Sequence, residues 1–133
     1  MIELPIDLTS GIPMVDVKLW SRVKNTYRSM LITIDTGATV TTISKDILHI
    51  LGYEAKAKEK KRITTASGIE YVDEMTLDKI KFAGIELCDV DVYAHTFPQE
   101  SFSSGVIGIN ILSRFDVCFL FSRGVLTLTP IEK

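Results

Sequence analysis

Residues 31–41 read Leu-Ile-Thr-Ile-Asp-Thr-Gly-Ala-Thr-Val-Thr, which brings one carboxylate, Asp35, to the end of an apolar stretch with a hydroxyl and a glycine directly behind it. Each residue type suits acid–base chemistry on a bound chain. A buried strand holds an acid rigidly at its end, the Thr36 hydroxyl can lock the turn, and Gly37 leaves room above the acid for water and a substrate backbone. Asp-Thr-Gly by itself is a turn-like string that recurs by chance, so its weight comes from its surroundings. Upstream, Ile32 and Ile34 alternate with Thr33 and Asp35, which is strand periodicity. Downstream by about seventy residues lies a second segment, Gly105-Val106-Ile107-Gly108-Ile109-Asn110-Ile111-Leu112.

Other reactive side chains offer less. His95 stands alone in a stretch read as a loop over 95–104, where a histidine is usually surface decoration. Asp89 and Asp91 alternate with Val90 and Val92 and are expected to face solvent together rather than form a catalytic pair. The charge run over 56–62 reads as a solvated approach to a hairpin. Two Cys and two His, at 88, 118, 49 and 95, show no metal-ligand spacing, so neither metal nor cofactor is expected. Cys88 and Cys118 have apolar neighbours and are expected to be reduced and buried rather than joined.

The elements that must position Asp35 can be read from the pattern. Residues 13–20 and 29–34 alternate apolar and polar, predicting a hairpin whose second strand delivers the acid. A short strand over 41–43 leaves the loop, Ser44 reads as the N-cap of a helix over 45–51, and Gly52 closes that helix. A β-rich stretch over 63–72 is interrupted by a small-residue turn at 66–68. A hairpin over 75–82 and 85–93 turns at Ala83-Gly84. A strand over 105–108, a short helix over 110–115 and a closing hairpin over 116–121 and 125–129 complete the chain. With 133 residues, 46% of them hydrophobic, one domain spanning 1–133 is expected. A net charge of −2 without a basic face argues against nucleic acid. No apolar run reaches the roughly 18 residues of a spanning helix, and the first residues lack a secretory plan, so no membrane partner and a cytoplasmic location are expected.

The two glycine-containing segments, in this order and at this spacing, resemble the aspartic proteases of the retroviral type over about residues 13–129. That resemblance implies an all-β, mostly antiparallel fold: a closed acid-protease barrel of one lobe with one or two short helices, assembling as a two-fold dimer. It implies an aspartic endopeptidase that hydrolyses peptide bonds with a water activated between two Asp35 carboxyls. Two such acids cannot both ionise at close range and share a proton, and this chain supplies only one Asp-Thr-Gly. The expected partners are therefore a peptide or protein substrate and a second copy of the chain.

Site roles follow from the same likeness. Asp35, Thr36 and Gly37 are the expected catalytic residues, with Thr36 reaching the partner's loop. Ala38, Val40, Ile107, Gly108 and Ile109 are expected to contact substrate, together with Ala66, Ser67 and Gly68 at the tip of a flap. Thr41 falls where the family has a hydroxyl supporting the loop, Gly108 should lie beneath that loop, and Asn110 matches the start of the small helix. Apolar pockets lined by Val40, Ile107, Ile109 and flap residues near Ile63 and Ile69 predict apolar side chains flanking the cut. Retroviral enzymes carry acids where this chain has Thr39 and Val40, and an arginine where it has Ile109. Both halves of that ion pair are missing together, so no buried charge is orphaned and a weaker or differently built dimer interface is expected. The alternatives are a catalytically silent peptide-binding or dimerisation module on the same fold, and an unrelated small barrel. The second leaves the paired segments unexplained.

Overall fold

A computed structural model describes residues 1–56, 60–65, 68–97 and 104–131. Ten strands and two short helices follow in the order β1 (Ile2–Pro5), β2 (Met14–Ser21), β3 (Thr26–Ile34), β4 (Thr42–Ser44), α1 (Lys45–Ile50), β5 (Lys61–Thr65), β6 (Gly68–Phe82), β7 (Ile85–His95), β8 (Gly105–Ile107), α2 (Ile109–Leu112), β9 (Phe115–Leu120) and β10 (Val125–Pro130). β2, β3, β8, β4, β7 and β6 are neighbours in that order, and a β2–β6 pairing closes them into a six-stranded barrel. β5 continues past β6, and β1, β10 and β9 form a separate three-stranded sheet. The expected all-β barrel with two short helices is what the chain forms. Among the described residues, pairing is antiparallel except where β3 meets β8 and β4 meets β7.

Alternation drives closure. In β2, Val15, Val17 and Leu19 point inward and are fully or almost fully buried, while Asp16 and Lys18 face out. Ile32 and Ile34 of β3, Ile43 of β4 and Ile107 of β8 join them in a single apolar cluster with Leu77, Ile80, Phe82 and Val92. Covering a side chain of this size is worth about 1.5–3 kcal/mol, so a one-residue slip would turn the stabilising set outward. The β6–β7 hairpin changes its inward face midway. Leu77 pairs with Val90 and Ile80 with Leu87, but the intervening Asp78, Lys79, Cys88 and Asp89 point away from the core. Asp89 accommodates the change at φ +52°. A period-2 pattern followed through this point misplaces Cys88, which is exposed, as is Cys118 on the outer face of β9; both thiols are free. The expectation of buried cysteines is thus corrected, whereas Asp89 and Asp91 are exposed as expected.

Helix α1 begins after Ser44, yet the Ser44 side chain makes no capping bond. Ser44 is still strand, its amide donating to the Ser104 carbonyl at 2.9 Å, and Gly52 follows the helix end with φ +97°. β8 runs tight against β4: a Cβ on Gly105 would sit 2.3 Å from the Thr42 carbonyl oxygen and 2.9 Å from Ile43 Cα. Both obstacles are backbone, so neither can swing aside. Gly105→Ala is expected to cost about 2–3 kcal/mol by overpacking, read as a lowered midpoint in urea unfolding; a midpoint unchanged from wild type would show that the strands part more freely than this packing allows.

Candidate active site

Asp35 emerges at the end of β3, half-buried, with its amide donating to the Ile107 carbonyl at 3.0 Å. The chain turns at once: Ala38 N–H reaches the Asp35 carbonyl at 3.2 Å, and Gly37 N–H donates to Asp35 Oδ1 at 2.9 Å. A charge-assisted bond from the backbone fixes the carboxylate without using a side chain. Asp35 enters none of the ion pairs found among the described residues. Thr36 and Gly37 are exposed beside it. The result is an acid held from below and open from above.

Support comes from β8 and α2. Ile109 N–H donates to the Ala38 carbonyl at 2.8 Å and Asn110 N–H to the Thr39 carbonyl at 3.1 Å, so the first turn of α2 satisfies the loop's carbonyls. Thr41 is completely buried at the other end of the loop. Its N–H and its hydroxyl both donate to Asn110 Oδ1 at 2.8 Å, and the hydroxyl oxygen accepts from Gly108 N–H at 3.0 Å. Asn110 Nδ2 in turn donates to the Asp91 carbonyl at 2.9 Å. Thr41 was legible as a supporting hydroxyl. The triple role of Asn110, which joins loop, helix and β7, was not, because only its position at the helix start was readable.

The expected substrate-contacting residues divide. Ala38 and Val40 are half-buried along the loop and Ile109 is 39% exposed at its flank, so all three can meet a ligand. Ile107 cannot do so through its side chain, which is 0% exposed in the core. Gly108 is buried under the loop: a Cβ there would lie 2.7 Å from the Ala38 carbonyl oxygen and 2.8 Å from the Val40 carbonyl carbon. Its missing side chain lets two backbones touch, and a direct substrate contact is replaced by support. β5 and the start of β6 form the expected hairpin, with Thr65 opposite Gly68, φ +120°. Ala66 and Ser67 lie outside the described residues. His95 is not in a loop but ends β7, where Nε2 lies 3.3 Å from Glu70 Oε2.

Three comparisons bear on this arrangement. A family model described as "gag-polyprotein putative aspartyl protease" matches residues 22–114. No curated protein matches by sequence. Among solved structures, a retropepsin-like aspartic protease from Rickettsia conorii superposes with a TM-score of 0.69 at 19% identity, covering 96% of this chain and 88% of its own. EIAV protease complexed with the inhibitor HBY-793 gives 0.57 at 18% identity, covering 77% of this chain and 86% of its own. The barrel is therefore retropepsin-like, and with the greater part of its length matched, including Asp35 and the β8–α2 support, the chain belongs to the gag-polyprotein aspartyl protease family.

Proposed function

We propose that residues 1–133 act as one domain of a homodimeric aspartic endopeptidase in which two copies of Asp35 share a proton and activate a water between them. The observation that carries this reading is the clamped, open-topped Asp35 carboxylate, fixed by the Gly37 amide and paired with no cation among the described residues. One Asp35 takes a proton from the attacking water while its protonated twin donates to the developing oxyanion. In this reading the Thr36 hydroxyl bonds the partner's loop, and Gly37 and Ala38 run along the substrate main chain. The β5–β6 hairpin, in which Thr65 faces Gly68, acts as the flap that closes over an extended peptide. The two free cysteines suit a reducing, cytoplasmic setting; no helix among the described residues is long and apolar enough to cross a membrane.

A dimeric site makes activity depend on association. The purified protein is expected to cleave a random peptide pool between about pH 4 and 7, with a bell-shaped profile from the shared proton. Specific activity should rise with protein concentration in step with the dimer mass measured in solution. Peptides bound but uncut by a stable dimer would point instead to a silent binding module. A protein that stays monomeric at every concentration overturns both.

A further inference from the structure

Beside the catalytic loop, on the outer face of β6 and β7, lies a cavity of about 150 Å³ lined by Val40, Lys61, Glu74, Asp91, Val92 and Tyr93. Register explains the grouping. Glu74 is opposite Tyr93 and Thr76 opposite Asp91, while Tyr93 is tied to the catalytic loop by its N–H bond to the Thr41 carbonyl at 2.9 Å. The groups fixed on the two central strands are two carboxylates and an aromatic face, which together suit a cation with an apolar stem. The chain already supplies one. Lys61 reaches in from the outer strand β5, its Nζ 3.0 Å from Glu74 Oε1 and 5.5 Å from the centre of the Tyr93 ring. Asp91 Oδ1 accepts from Thr76 at 3.0 Å and meets Lys56 Nζ at 3.2 Å from outside the cavity.

We propose that this cavity is an outer specificity pocket for a lysine or arginine side chain of the peptide substrate, and that Lys61 is its resident stand-in. The inference rests on the peptidase reading above. Its polar groups, Glu74, Asp91 and Tyr93, stand on β6 and β7 rather than on the Asp35 loop, so the basic residue sits some positions from the cut, and apolar preference beside the cut is unaffected. Its methylenes lie against Val40 and Tyr93, and its charged head takes the place of the Lys61 ammonium near Glu74. Lys61 loses little by leaving, because its side chain is 53% exposed and β5 is the last strand of its sheet. Exchanging one exposed cation for another limits the preference to about threefold to tenfold, and added salt weakens it.

The test pairs cleavage with binding. A peptide library is profiled with wild-type protein, Lys61→Met and Glu74→Gln, and the best sequence is resynthesised with arginine or alanine at the position showing the strongest basic preference. Wild type should favour arginine at one position away from the cut. Lys61→Met should raise that preference about fivefold by vacating the pocket, and Glu74→Gln should reduce it to near parity. Cleavage of the alanine peptide by wild type reports on the peptidase reading separately. The affinities of the two peptides for Lys61→Met, or, where nothing is cut, of peptide pools with arginine or alanine fixed at each position in turn, measured by fluorescence anisotropy, decide the pocket separately from cleavage. Equal affinities, or a library profile indifferent to basic residues at every position in both wild type and Lys61→Met, overturn the proposal.

Discussion

Asp35→Asn is expected to cleave peptides about 10³-fold or more slowly than wild type while folding normally. The amide is nearly isosteric with the carboxyl, and Asn Oδ1 can still accept the Gly37 N–H that now reaches Asp35 Oδ1 at 2.9 Å. Unfolding midpoints should therefore agree closely, since no core group is disturbed. What disappears is the exchangeable proton: an amide neither takes one from water nor gives one to an oxyanion at these pH values. A mixing experiment sharpens the test. If the site straddles a two-fold axis, random association of equal amounts of wild type and variant leaves about one quarter of the dimers with both acids, and activity should track that fraction. Residual cleavage above a few per cent by pure variant, or activity that merely halves when half of the wild type is replaced by variant at constant total protein, would mean that Asp35 does not work with its own copy.

The sequence made Asp35 legible because its neighbours satisfy several rules at once. A period-2 apolar stretch, a hydroxyl, a glycine and a distant apolar strand ending in glycine all agree with one local geometry. The same agreement carried the β2–β3 hairpin, the short helix α1 and the Ala83-Gly84 turn, where both residues take positive φ. Other features depend on contacts between distant residues and leave a weaker local mark. β1 is four residues long and stays in place by pairing with β10 at the opposite end of the chain; Ile2, Leu4 and Ile6 alternate, but too briefly to stand out. The face change in β6 and β7 falls at Asp89, which takes φ +52° and is left out of the strand register, so Cys88 emerges although its neighbours look apolar. Ile107 and Gly108 look like pocket residues in one dimension. In three they are the floor under the loop, and Val106 on the opposite face of β8 is the half-buried one.

That floor leads to the second large effect. Asn110→Leu is expected to destabilise the protein by about 2–5 kcal/mol and to take most activity with it at temperatures where wild type is fully folded. Asn110 Oδ1 accepts both polar hydrogens of Thr41, a residue with no exposure to solvent, so the substitution strands a buried N–H and a buried O–H together. Each buried donor left unpaired costs about 1–3 kcal/mol, whereas an exposed bond lost to water costs far less. Thr41→Val should also destabilise, by about 1–3 kcal/mol, because it frees the Gly108 N–H that the hydroxyl now accepts at 3.0 Å. Thr41→Ser, which retains the hydroxyl, should stay much nearer wild type. The double variant Thr41→Val/Asn110→Leu is the decisive measurement, since the hydroxyl stranded by the asparagine change is absent when residue 41 is valine. Its loss of urea-unfolding free energy should fall short of the sum of the single losses by about 1 kcal/mol or more. Strict additivity would mean that loop and helix are held independently, and that the Asp35 turn does not depend on Asn110 for its position.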